Sequence, residues 1–279
     1  MAGSVDLHSH TTASDGALAP RDLVRLAARQ RVGVLAVTDH DSTDGLPEAM
    51  EEAAHHGIQI VPGLEINCDV PGSEIHVLGY LVRWGEEWFQ DFLREQRAER
   101  VARVHRIVER MTELGMPLTA DEVFAICKEG SPGRPHVAQA MVNRGYVKSV
   151  REAFDRWLHA GSPANVPRRR LTPVEAVQII RKAGGVPVLA HPGLAHRDEM
   201  IPELVEAGLG GIETYYPEHS VKQIDAYRAT CARLNLVATG GSDYHGSHTG
   251  RATTLGGAHV PPEVWPALKQ KAAELTRPA

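Results

Sequence analysis

The sequence predicts an α/β fold, a barrel-like array of parallel βα units interrupted by an all-helical insertion. Three observations lead there. Short apolar runs alternate with amphipathic helical stretches in both outer parts of the chain. Six apolar runs place a His, Asp or Glu at or near one end, as in a barrel whose chemistry sits at the carboxyl ends of its strands. Between Trp84 and about Val166 no strand pattern appears.

The first apolar run leads into Asp6-Leu7-His8-Ser9-His10. In an extended chain side chains two apart point the same way. His8 and His10 therefore share a face, and Asp15 returns from the following turn. Pro20 opens a helix with Leu23, Leu26 and Ala27 inward. A strand over 34–37 runs into Thr38-Asp39-His40-Asp41. A helix over 46–56 turns Met50, Ala53 and Ala54 inward and stops at Gly57. The next strand passes Pro62-Gly63 and ends at Glu65, and the run 75–79 carries His76. The strands are nearly continuous in Val, Ile, Leu and Ala, as expected when both faces are covered.

After Tyr80 one long charged helix is expected over 86–114. Its apolar stripe holds Phe89, Phe92, Leu93, Val101, Val104, Ile107, Val108 and Met111, and its arginines and glutamates form a solvated face. Shorter helices follow over 119–127, 135–144 and 150–159. Residues 82–168 are thus expected to form a helical cap insertion, with 1–81 and 169–279 forming the metal-binding barrel. From Thr172-Pro173 the alternation resumes. A helix over 174–183 precedes the Ala190-His191-Pro192 strand, and a helix over 200–207 precedes a strand over 211–215. A helix over 221–234 precedes the Gly241-Ser242-Asp243 strand, and a last helix closes the chain.

The chain has 279 residues, enough for one large domain with an insertion, and a net charge of −5. That charge argues against broad non-specific nucleic-acid binding. Cys68, Cys127 and Cys231 are far apart and odd in number, which fits a reducing cytosol and no disulfide framework. No signal peptide and no membrane span are expected. Fifteen histidines is a high count that needs a reason. His8, His10, Asp15, His40, Glu65, His76, His191, Asp243 and His245 supply one. Imidazoles mixed with carboxylates suit manganese, zinc or iron. Each catalytic ion takes about three protein ligands, so nine suggest two or three divalent ions.

These motifs, with Gly63-Leu64-Glu65, Ile75-His76-Val77-Leu78-Gly79 and Gly241-Ser242-Asp243-Tyr244-His245, resemble the PHP (polymerase and histidinol phosphatase) family of metal-dependent phosphoesterases. The resemblance implies a distorted seven-stranded (β/α) barrel. It implies one ion on His8, His10, Glu65 and Asp243, and a second on Glu65, His76 and His191. A third would sit on Asp15, His40 and His245. Some relatives carry His where this chain has Asp15, and a carboxylate there favours a harder ion such as manganese.

Ser131-Pro132-Gly133-Arg134-Pro135-His136 and Tyr215-Tyr216-Pro217-Glu218-His219-Ser220 look like the nucleotide-phosphatase branch. Its members release the 3′-phosphate of 3′,5′-bisphosphonucleosides and trim short RNA. On that likeness Arg134, a loop arginine, grips a substrate phosphate. Arg168, beside Arg169 and Arg170, gives a second basic point. His219 is expected near the leaving group, where it or a metal-bound water would protonate the 3′-oxygen after attack by a metal-activated hydroxide. A histidinol-phosphate phosphatase is the nearest alternative, and the insertion with its arginines argues against it. A non-catalytic accessory domain is an alternative of another class, and the complete ligand set argues against that.

Overall fold

Seven strands form one sheet in chain order. The computed structural model describes residues 3–127, 130–167, 171–246 and 253–276. β1 (Ser4–Asp6), β2 (Val32–Val37) and β3 (Gln59–Val70) are parallel. β4 (Ser73–Tyr80) is antiparallel to β3 and to β5 (Val186–Leu189). β5, β6 (Gly211–Tyr215) and β7 (Val237–Gly240) are parallel again. The outer strands meet: the Leu7 amide donates to the Gly240 carbonyl at 3.2 Å and the His10 amide to the Tyr244 carbonyl at 2.9 Å. The sheet thereby closes into the expected distorted α/β barrel. Tyr80 is fully buried inside it, and its hydroxyl donates to the Leu7 carbonyl at 2.9 Å.

β4 departs from the expected all-parallel pattern. Only Pro71 and Gly72 separate it from β3, and a parallel crossover needs a dozen residues or more. Gly72, at φ +76°, makes the tight reversal that a side chain would strain.

Helices cover the barrel. α1 (Pro20–Arg29) starts on a proline and buries Leu23, Val24 and Ala27. α2 (Leu46–His56) buries Leu46, Ala49 and Ala53. Ala54, expected inward, is exposed, because its side chain lies a further 100° round the helix from Ala53. α3 (Glu87–Glu113) follows β4 and joins two cores. Phe89 and Leu93 pack with barrel residues, whereas Val104, Ile107 and Met111 pack into a separate cluster. That cluster also takes Val123 of α4 (Ala120–Cys127), Val137 and Met141 of α5 (Arg134–Asn143) and Ala153 of α6 (Val150–Ala153). The helix expected over 150–159 changes character halfway. Residues Phe154–Leu158 form a π-turn in which the His159 amide donates to the Phe154 carbonyl at 3.2 Å.

α7 (Pro173–Lys182) is capped by Thr172 and Glu175 acting reciprocally. α8 (Pro192–Ala195) is one turn, and a short 3₁₀ stretch (Asp198–Met200) leads into α9 (Ile201–Glu206). α10 (Val221–Leu234) is capped by Ser220, and α11 (Val264–Leu275) packs Trp265 and Leu268 against the barrel. Among the described residues no helix is long and apolar enough to cross a membrane.

Candidate metal centre

The nine acidic and imidazole side chains lie at one end of the barrel, most of them just past the ends of strands. His8 and His10 follow β1, His40 follows β2, His191 follows β5, and Asp243 and His245 follow β7. Glu65 and His76 lie within the β3–β4 hairpin. Buried Asp6 ties the first and last of these segments together by accepting from the Ser242 amide at 2.9 Å and the Gly256 amide at 2.6 Å. A Cβ on Gly241 would stand 2.3 Å from the His8 nitrogen, so that crossing admits only glycine. His191 (φ 27°) and Asp243 (φ 51°) hold left-handed backbones, and non-glycine residues keep such conformations where surrounding packing enforces them.

Three overlapping groups could each hold a cation: His8, His10, Glu65 and Asp243; His10, Asp15, His40 and His245; and His40, Glu65 and His76. The first is the tightest. His8 Nε2 lies 3.1 Å from His10 Nε2, 3.2 Å from Glu65 Oε2 and 3.3 Å from Asp243 Oδ1. His10 Nε2 is 3.2 Å from each of the same two carboxylates. Ligands about 2.0–2.2 Å from a tetrahedral ion lie roughly 3.3–3.6 Å apart, so these four donors have nearly the spacing of a cation cage. Glu65 Oε1 faces His76 Nδ1 at 2.8 Å and His191 Nε2 at 3.1 Å. Asp15 Oδ1 lies 3.3 Å from His245 Nε2, and Asp15 Oδ2 lies 3.8 Å from His40 Nε2. His10 reaches this group too, its Nδ1 3.8 Å from Asp15, so one imidazole borders two groups. His40 Nδ1 is buried without a hydrogen-bond partner, 3.1 Å from Glu65. The donor set, its spacing and its orphaned nitrogen fit divalent transition-metal ions.

Further polar groups orient the ligands. Glu213, inside β6, accepts from His8 Nδ1 at 2.9 Å and from the His191 amide at 2.8 Å. His8 Nε2 is thereby left as the atom that could bind a cation. Tyr216 donates to Asp243 Oδ2 at 2.9 Å. Asp39 accepts from Thr11 and Ser14 and so fixes the turn that carries Asp15. Burial depresses an imidazole pKa. Even so, hydrogen bonds to Asp243 and Glu65 raise that of His10 to about 9, and Glu65 raises His76 to about 9. The buried carboxylates demand positive charge, which protons supply where ions do not.

Asp15, His40, His76 and His245 open into a cavity of about 740 Å³ whose far wall comes from α3, α5, α6 and the π-turn. Arg134 lines it as the first residue of α5, not as a loop residue. Its guanidinium pairs with Glu74 and donates to the Leu158 carbonyl at 3.0 Å. Arg100 and Arg103 of α3 line it as well. Arg100 joins Asp41 at 2.7 Å and Asn67 at 2.5 Å, and Asn67 in turn lies 2.7 Å from His76 Nε2. Arg103 donates to Glu74 at 3.0 Å and to the Val166 carbonyl at 2.7 Å. Burial raises a carboxyl pKa, yet Arg134, His76 and Arg103 hold that of Glu74 well below its usual range. Arg100, Arg103 and Glu213 escaped the sequence reading. Both arginines sit in a pattern that looks like a solvated helix face. Glu213 sits mid-strand, and its one sequence signal is a charge flanked by Ile212 and Thr214.

His219 is placed differently from the expected proton donor. It is buried, its Nδ1–H donates to the Thr214 carbonyl at 3.0 Å, and its Nε2 accepts from the Gly193 amide at 3.2 Å. With both nitrogens engaged it braces the loop after His191, while its neighbour Glu218 lines the cavity. Arg168, with Arg169 and Arg170, lies outside the described residues.

Comparison with known proteins agrees with this chemistry. The model of the PHP domain matches residues 6–165. A 5'-3' exoribonuclease, Rnm, of Salmonella typhimurium is 38% identical over 67% of this chain and 65% of its own length. A 3',5'-nucleoside bisphosphate phosphatase of Chromobacterium violaceum is 30% identical over 99% of both chains. The crystal structure of a putative metal-dependent phosphoesterase from Bifidobacterium adolescentis superposes with a TM-score of 0.88, at 31% identity over 97% of each chain.

Proposed function

The chain belongs to the PHP-domain family and is a metal-dependent phosphoesterase, and from that premise we propose that it removes the 3′-phosphate of 3′,5′-bisphosphonucleosides. One observation carries the reading: groups that could hold cations and the guanidinium groups of Arg100, Arg103 and Arg134 open into the same cavity, with Arg151 also in its lining. A substrate with two phosphates satisfies both, with the scissile one at the metal groups and the other at the arginines. The full-length similarity to a phosphatase of that name supports it. Similarity to an exoribonuclease favours short RNA as a second substrate of the same site. Residues 82–168 act in this reading as a cap over the barrel built from 1–81 and 169–279. Three buried free thiols support a cytosolic location.

Two or three ions, manganese, zinc or iron, would be held by His8, His10, Glu65 and Asp243, by Glu65, His76 and His191, and by Asp15, His40 and His245. When bound, such ions polarise the phosphoryl oxygens and lower the pKa of a coordinated water. The chain's own part is positional. Glu213, Asn67 and Asp39 fix the ligands. Arg100, Arg103 and Arg134 are held by Asp41, Asn67 and Glu74, so their remaining N–H groups meet phosphate without reorganisation.

The test is phosphate release by manganese-loaded protein from adenosine 3′,5′-bisphosphate and from an aryl phosphate. Arg134→Ala is expected to raise KM for the bisphosphate about ten- to a hundredfold, the size of a lost charge-assisted contact, with a much smaller effect on the aryl phosphate. Equal losses on both substrates would put Arg134 at the scissile phosphate or in support of the cap. No loss on either would remove the two-phosphate reading.

A further inference from the structure

The cavity has an end that phosphate chemistry does not use. Phe154 lines it together with Val104, Ile107 and Val150, and these four belong to one apolar cluster. Phe154 is half-buried and stands at the first position of the π-turn. Such turns insert one residue into a helix, re-aim the side chains around it, and occur frequently at functional sites. Here the insertion accompanies an aromatic ring at the cavity wall beside an arginine. The Arg134 guanidinium carbon lies 5.5 Å from the ring centroid, so the ring is one side chain away from the proposed second phosphate. A cavity of about 740 Å³ lies in the range of sites for whole small molecules, well above the needs of two phosphates.

We infer that Phe154 is the platform on which the substrate's nucleobase rests. The inference builds on the proposed 3′,5′-bisphosphonucleoside reading and names the part of the site that meets the base. In a nucleotide the base lies one sugar away from its 5′-phosphate, which matches a ring placed next to Arg134. Stacking uses the π-face that every base has. Of the residues lining the cavity, those that share the cluster of Phe154 are the aliphatic Val104, Ile107 and Val150, while His159, its ring 5.5 Å from that of Phe154, and Asp155 line the cavity beside them. Stacking on this ring serves purines and pyrimidines alike and gives a bare sugar bisphosphate nothing to rest on.

Two variants of the full-length, manganese-loaded protein test this. Phe154→Leu keeps an apolar side chain for the helical cluster and removes the π-face, and Phe154→Tyr keeps both. Calorimetric binding of adenosine 5′-monophosphate, the product left after 3′-phosphate release, is expected to weaken about ten- to a hundredfold in Phe154→Leu and to recover in Phe154→Tyr. Binding of inorganic phosphate should weaken far less. In turnover, the wild-type preference for adenosine 3′,5′-bisphosphate over ribose 3,5-bisphosphate should shrink by the same factor in Phe154→Leu. If the wild-type protein prefers the nucleotide but Phe154→Leu loses both ligands equally, or neither, the platform is overturned and the substrate reading stands. If the wild-type protein shows no preference for bisphosphonucleosides over simple phosphates, the substrate reading falls and the platform with it.

Discussion

His8 shows how a side chain is prepared to bind a cation. Its Nδ1–H is taken by Glu213, so the lone pair on Nε2 can point only at His10, Glu65 and Asp243. Glu213→Gln keeps the shape but weakens that hold, and loss of such a partner typically costs 10- to 100-fold in metal affinity. Manganese titration of the purified variant should show a drop of about that size with the fold intact, and an unchanged affinity would mean that Glu213 orients nothing. Protons and ions also compete here. Burial lowers imidazole pKa values, but the neighbouring carboxylates raise His10 and His76 from 6.5 to about 9. In chelated protein these two groups add stability that is complete below about pH 6.5 and is lost as the pH rises through about 9. The melting temperature of chelated protein should therefore fall across that window, and the gain on adding manganese should grow. A flat or rising metal-free melting temperature would contradict the charge balance drawn here. At this scale most of the candidate ligands were legible because they end or closely follow apolar runs, and His76 because it interrupts one. Glu213 was not, because a charge inside a strand shows its partner only once the strands are neighbours.

Elements decide where the arginines and the metal turn meet. α3 is readable as a long helix, but its sequence does not say that its first turns belong to the barrel core and its last turns to another. Consequently Arg100 and Arg103, at the changeover, look like solvated charges until the packing turns them into the cavity. The π-turn was equally hidden, since one inserted residue leaves helical periodicity almost unchanged over ten positions. β4 misled for a local reason: its apolar run fits either direction, and only the two-residue link to β3 fixes it as antiparallel. The link between α4 and α5 presses on the metal turn, because a Cβ at Gly130 would stand 2.3 Å from the Ser14 carbonyl oxygen and 2.4 Å from that of Thr12. Both obstacles are backbone and cannot swing aside. Gly130→Ala should cost about 1–3 kcal/mol of overpacking and displace the turn that carries Asp15. Elemental analysis should then show weaker occupancy of the Asp15, His40 and His245 group than of the His8 group. Equal occupancy of both would show that the link does not hold the turn.

Across the whole molecule, each of the seven strands places a candidate ligand or the partner of one at the same rim. β1, β2, β5 and β7 do so just past their ends, β3, β4 and β6 within the strand. The barrel was legible because the alternation of runs fixes the fold class. Closure was less so, since it depends on the Leu7–Gly240 and His10–Tyr244 contacts between the two ends of the sheet. Ions at the rim would link strands far apart in sequence: His8 and Asp243 lie on opposite sides of the seam, and Glu65 lies between the other groups. Binding to the folded state alone adds about 2.7 kcal/mol per site at a hundredfold excess over Kd. For a chain of this size that amounts to roughly 5–10 °C per site, so chelation should lower the melting temperature by at least that much. The loss should also be local. The helical cluster around Val104, Ile107, Val137 and Met141 has its own packing and no ligand. Amide exchange after chelation should therefore rise first in the segments 7–16, 38–43, 190–195 and 240–246, while the amides of α4 and α5 keep their protection. Uniform loosening of barrel and helices together would show that the ions stabilise the molecule as one cooperative unit and do not act as clamps on the seam.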